Sequence, residues 1–324
     1  MERKLFLKDT RRRMNQLGVI LLADFAIVNL LGIACMLFDL AGYLTGLLIR
    51  GEMFDIDAMM AYIYLSLTSN GWGYILAIVV GIVIVNLWKG RSYWKQEVFV
   101  KGKTMTVSVF FQLVAVFLTA QLFGQVFIIG LEALVNTFGM TAVEAVEMAS
   151  GNATGFSMYL YACILGPIGE ELLFRGLVLR TLKPWGKQTA IVVSAILFGV
   201  FHGNLAQIPF AFLVGLMLGY VAVEYSVIWS IALHIFNNWI FADLLDRVLM
   251  LLPGMVGVWL SYAILPIIAV VAVVLLIVKR DQVKAFFTQN RCHGLSVWGV
   301  VTSPAVLVFI IMMLLLSLVT ITPM

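Results

Sequence analysis

The stretch GPIGEELLFRG, residues 166–176, decides the reading of this chain. It sets Glu170, Glu171 and Arg175 inside a long apolar run. An acid at a bilayer centre costs about 2.5–3.5 kcal/mol on insertion scales, so such residues persist where they are paired, hydrated or working. On a helix, Glu171 and Arg175 stand at i and i+4 and can pair. Glu170 is turned about 100° from Glu171 and has no obvious partner on its own helix. One carboxylate can hold position while the other does chemistry.

The composition around this stretch is that of a membrane protein. Of 324 residues, 62% are hydrophobic and 12% charged. A soluble domain is typically about 45–50% apolar and about 25% charged. The expected fold is all-α, a polytopic transmembrane helical bundle of about eight or nine spans with a cavity among its central helices. Cys35, Cys163 and Cys292 make no disulfide framework. There is no metal-type cysteine cluster and no glycine-rich phosphate loop. The net charge of +4 is small and gives no reason to expect a nucleic-acid partner. Instead the basic residues sit in short loops, as the positive-inside rule describes.

Working outward, residues 1–16 are polar and basic, with Lys4, Lys8 and Arg11 to Arg13. An apolar run from Leu17 to Ile49 follows, interrupted by Asp24 and Asp39. It is too long for a signal-peptide core and predicts a retained first span with a cytoplasmic N-terminus. Either acid can mark a polar cavity, though facing water or the bundle is the simpler expectation. Residues 50–71 carry Glu52, Asp55 and Asp57 and read as an outside loop with a short helix at 57–67. Span two covers 72–88, and a basic loop with Lys95, Lys101 and Lys103 precedes span three at 105–131. Residues 132–154 hold Glu132, Glu144, Glu147 and an Asn152 sequon, and lie outside. Span four runs from Gly155 through the motif to the loop of Lys183, Pro184 and Lys187; spans five and six follow at 189–205 and 207–225. Gly215 and Gly219 have GxxxG spacing for close packing. Span seven is 227–245, span eight 248–278 and the last 295–320. Three regions result: 1–154 with the basic tail and about three spans, a core at 155–247, and C-terminal spans at 248–324.

Two of the three histidines fall in apolar spans. His202 follows Phe198 by four residues, and His234 precedes Asn238 by four; each pair shares a helix face. The third, His293, is read as a solvated loop residue beside Cys292. Glu170 lies 13 residues before Lys183, and His202 lies 15 after Lys187. At 1.5 Å per residue both sit about 20 Å from one loop, so a hairpin lets them face each other. A lone intramembrane histidine is often a satisfied core residue. The joint pattern is much harder to obtain by accident.

These residues resemble the CPBP family of intramembrane proteases, which includes CaaX-processing endopeptidases and the bacterial Abi proteins. The family pattern is EExxxR, FxxxH and HxxxN. It is met by Glu170, Glu171 and Arg175, by Phe198 and His202, and by His234 and Asn238. The resemblance covers residues 155–245 and implies endopeptidase activity on a membrane-anchored protein or peptide. The residues are suited to that chemistry. Peptide hydrolysis needs an activated water and donors for the oxyanion. Glu170 suits the base, His202 can orient the same water, and His234 with Asn238 can bind the oxyanion. Glu171 with Arg175 is the structural brace.

Other readings remain open beside this one. Zn²⁺ on Glu170, His202 and His234 would make a metalloprotease, but there is no HExxH pair and amides are poor zinc ligands; a metal-free glutamate mechanism is favoured. Acid and histidine chains also build proton relays in transporters, although no inverted repeat is visible. A non-catalytic role in bacteriocin self-immunity is the third. Compact loops lean towards a bacterial plasma-membrane protein.

Overall fold

The computed structural model describes residues 2–143, 155–290 and 294–324. Glu144, Glu147, the Asn152 sequon, Arg291, Cys292 and His293 lie outside these residues.

Helix α1 spans Glu2–Arg50, 49 residues in all. The expected polar tail at 1–16 is its first turns. No glycine or proline interrupts that stretch, and Asp9 pairs with Arg12 at 3.1 Å and Arg13 at 2.9 Å along the helix. At 1.5 Å per residue α1 is about 73 Å long, far beyond a ~30 Å hydrocarbon core, so it overhangs the membrane. Helix α2 (Ile56–Ser69) begins where the Asp55 carboxylate accepts from Asp57 N and Ala58 N. It is tied to α1 at Asp39, which accepts from Ser66 Oγ at 2.6 Å and Asn70 Nδ2 at 2.7 Å. Helix α3 is Trp72–Lys89, and α4 is Val107–Asn136, capped by the Thr106 hydroxyl.

The motif lies on α5, a run from Phe156 to Leu182 in which α turns alternate with π turns at Tyr161–Leu165 and Leu172–Val178. The first π turn has a cause in the sequence. Pro167 has no N–H to continue the i→i−4 ladder and crowds the preceding carbonyl. Helices α6 (Lys187–Phe201) and α7 (Ile208–Glu224) pack closely through the glycine pair. A Cβ at Gly215 would lie 3.0 Å from Ala195 Cα, and one at Gly219 would lie 3.2 Å from an Ile191 methyl carbon. Helix α8 (Val227–Met250) starts at the Ser226 cap and turns to π geometry over Phe236–Leu244. Helices α9 (Val256–Val278), α10 (Arg280–Gln289), α11 (Gly294–Val301) and α12 (Pro304–Val319) complete the chain. The expected single span at 295–320 is thus broken, because Pro304 cannot extend a helix from Thr302 and Ser303.

The bundle is all-α, as composition requires. Among the described residues, α1, α3, α4, α8 and α9 are long and apolar enough to cross a membrane. Helices α6, α7 and α12 are shorter apolar helices. The largest core cluster gathers around Phe174, Leu177, Leu197, Phe198, Leu218 and Leu233, where α5 to α8 meet.

The basic loops meet at one end. Glu224 pairs with Lys103 at 2.6 Å and with Lys187 at 2.7 Å. The hydrogen bond to Glu224 holds the Lys103 ammonium above the usual lysine range. Gln188 donates to Phe287 O at 2.9 Å, which brings the 280–289 segment to the same end. At the other end, strand β1 (Met140–Thr141) pairs antiparallel with β2 (Thr322–Pro323). Single cysteines at Lys95, Lys183 and Lys284 are therefore expected to react with an impermeant maleimide from one side, and a cysteine at Glu52 from the other. Labelling of Lys95→Cys and Lys284→Cys from opposite sides would contradict this arrangement.

Candidate active site

Glu171 is the most constrained carboxylate of the motif. Glu171 and Arg175 are both 0% exposed, and Arg175 Nη1 donates to Glu171 Oε1 at 2.7 Å. The same oxygen meets His234 Nδ1 at 3.1 Å, and Ser230 Oγ donates to Glu171 Oε2. A buried carboxylate needs this density of donors to offset its desolvation. Arg175 also donates to Gly215 O at 3.2 Å and lies 4.3 Å from the Phe198 ring centroid. Its Nε is buried without a hydrogen-bond partner among the described residues. The brace expected between Glu171 and Arg175 is thus one edge of a cluster that draws α5, α6, α7 and α8 together.

Glu170 differs in every respect. Its side chain is 26% exposed, and it faces the His234 imidazole, with Nε2 3.8 Å from Oε2. That is beyond hydrogen-bond length. His234 therefore stands between the two acids. Its Nδ1 side is anchored on Glu171, which assigns the Nδ1–H tautomer and turns Nε2 toward Glu170.

His202 ends α6, with Nδ1 2.9 Å from Phe198 O. The Phe198 ring stands edge-on to both histidines, 4.9 Å from His202 and 6.0 Å from His234 between centroids. The structure brings His234 to Glu170 directly, and His202 to His234 only through Phe198. Asn238 donates to Ala162 O at 3.2 Å and accepts from Asn237 Nδ2 at 2.9 Å. Asn237 in turn accepts from Gln121 Nε2 at 2.8 Å. Both asparagines lie in the π segment of α8, so the α-helical rule that sets His234 and Asn238 on one line does not carry through it.

Glu170 also lines a cavity of about 130 Å³ with Asp24, Tyr74, Tyr161 and Gly169. Gly169 is needed there, since a Cβ would lie 2.8 Å from Ile78 Cγ1 of α3. Tyr74 and Tyr161 stack with centroids 4.9 Å apart. His202 and His234 do not line this cavity, so Glu170 is the group that joins it to His234. Asp24 comes from α1, far away in sequence; its only sequence signal was an acid in an apolar span. Ser230 carried a clearer signal, standing four residues before His234.

A catalytic zinc site requires about three protein ligands converging at about 2 Å. Among the described residues, no group of three or more His, Cys, Asp or Glu side chains is placed to hold a metal ion.

Fold and site together define an all-helical membrane protein with an ionisable centre inside its bundle. Residues 152–240 match the family model described as Type II CAAX prenyl endopeptidase Rce1-like. This segment contains Glu170, Glu171, Arg175, Phe198, His202, His234 and Asn238. That stretch is thus similar to the CAAX-type prenyl endopeptidases the model describes. Comparison with curated proteins and with solved structures gives no match.

Because Glu171 is the one ion-pair partner of Arg175 among the described residues, Glu171→Gln is expected to lower stability by about 3–5 kcal/mol, the cost of leaving a buried charge unpaired. Glu170→Gln, with no hydrogen bond to lose among the described residues, should unfold close to wild type. Thermal unfolding in one detergent compares them; equal losses would refute the distinction.

Proposed function

We propose that the protein is an intramembrane endopeptidase that hydrolyses a peptide bond of a membrane-anchored protein or peptide, with Glu170 as general base. The observation that carries this reading is the contrast between the two neighbouring acids. Glu171 is fully buried and held by three side chains, while Glu170 is 26% exposed, without a hydrogen bond among the described residues, and beside an oriented imidazole. The Rce1-like match at 152–240 supports the reaction class. In this reading the catalytic core is the 155–247 region, with the N-terminus on the cytoplasmic side, where its basic residues favour it.

Glu170 takes a proton from water as the water oxygen bonds to the scissile carbonyl carbon. The carbonyl oxygen becomes an oxyanion, which the second amide N–H of Asn238 stabilises together with His234 in its imidazolium form, where Nε2 carries a proton as well as Nδ1. The C–N bond then breaks as Glu170 returns the proton to the leaving amine. His202 orients the water, with its Nδ1 already on Phe198 O and Nε2 left for that role. Arg175 and Ser230 act through Glu171, which fixes His234.

A reconstituted sample with a fluorogenic membrane-anchored peptide tests this. Glu170→Gln is expected to abolish turnover while leaving the fold intact, and exhaustive chelation is expected to leave wild-type turnover in place. Near-normal turnover of Glu170→Gln would remove the base assignment. Loss on chelation that only added Zn²⁺ restores would replace the mechanism with a metal-dependent one. For the oxyanion, Asn238→Ala should lower kcat on the order of 10²–10³ with KM near normal. A rise in KM alone would make Asn238 a substrate-positioning residue.

A further inference from the structure

The overhanging start of α1 and the end of α3 flank an open groove of about 860 Å³, separate from the Glu170 cavity. Lys4, Lys8, Arg11 and Arg12 form its rim, while Ile20, Ile84 and Trp88 contribute to an apolar floor. Acid is scarce here. Asp9 is taken by Arg12 and Arg13, and the Lys4 and Lys8 side chains are exposed. Lys89 adds a further cation, with Nζ 3.8 Å from the Trp88 ring centroid. Like charges gathered at a low-dielectric boundary repel, and an anion among them relieves that repulsion.

A basic run on its own is an ordinary solvated helix face. The floor makes the difference. Trp88 and Lys89 end α3 and set the headgroup level. From Arg12 to Ile20 is eight residues, or about 12 Å along α1 toward the hydrocarbon. The groove is therefore cationic at headgroup depth and apolar below it. Free phosphate would use the rim and leave the floor to solvent or bulk lipid, whereas an anionic phospholipid matches both parts.

We propose that this groove binds an anionic phospholipid, its phosphate on Lys8, Arg11 and Arg12 and an acyl chain along Ile20 and Ile84. Those two isoleucines also line the Glu170 cavity, so the bound chain backs the wall of that cavity. The lipid site stands whether or not the protein is a protease.

The test uses the full chain in nanodiscs of phosphatidylcholine with a small fraction of brominated lipid, whose bromines quench nearby tryptophan. The Trp88 contribution is the part of the quenching that W88F removes. It should be stronger for brominated phosphatidylglycerol than for brominated phosphatidylcholine. K4Q/K8Q, at two exposed positions, should weaken the phosphatidylglycerol response roughly 30-fold in apparent affinity. K4R/K8R should retain it, and excess inorganic phosphate should leave it unchanged. Equal quenching by the two lipids, an unaltered response in K4Q/K8Q, or displacement by phosphate alone would each overturn the proposal.

Discussion

A carboxylate and a guanidinium, both fully buried, hold the centre of this bundle. Neither can stay there alone, because the desolvation of each ion exceeds what one contact returns. Their needs recruit the surrounding helices. Glu171 draws Ser230 and His234 from α8, and Arg175 draws the Gly215 carbonyl from α7 and the face of Phe198 from α6. Gly215 serves twice, since its missing side chain lets α6 approach and its carbonyl receives Arg175. Four helices are thereby held in one register at the depth where Glu170 faces its cavity. What Glu171 absorbs in partners, Glu170 is spared.

The π turns belong to the same logic. Each widens the backbone and redirects the side chains that follow, and such turns often occur at functional sites. In α5 they flank the Glu170–Glu171 turn on both sides; in α8 one begins two residues after His234. Ala162, inside the first of them, offers its carbonyl to Asn238 across the bundle. Backbone irregularity within a membrane is tolerated where protein side chains meet the freed groups, and Asn238 does so here. The amide network from Gln121 through Asn237 to Asn238 ties α4 into this region.

Much of the centre was legible in the sequence, because its information is local. The Glu171–Arg175 pair follows from i,i+4 spacing, and the α6–α7 contact from two glycines four apart. A Glu170 without a partner on its own helix, beside a paired Glu171, was expected from a 100° turn alone. What the sequence did not disclose depends on departures from regular helix or on distant chain. Ideal spacing puts His234 and Asn238 on one line, and the π segment starting at Phe236 removes that guarantee. That His234 is anchored on Glu171 is a contact across 63 residues, with no local trace. Asp24 reaches the Glu170 cavity only because α1 packs on α3, where Gly73 lets the backbones approach: a Cβ there would lie 2.7 Å from Leu31 O. The helical start of α1 was hidden by its charge, which reads as tail until Asp9 is seen to pair along the helix.

The central claim is that the Glu171–Arg175 pair, and not either ion alone, is the structural requirement. A double-mutant cycle measures it directly: thermal and denaturant unfolding of Glu171→Gln, Arg175→Met and the double variant in one detergent. Each single change leaves one charge buried without its counterpart, whereas the double change leaves none. The account predicts that both single variants are strongly destabilised and that the double variant is markedly more stable than the sum of their losses. Strictly additive losses, or a single variant as stable as wild type, would contradict it.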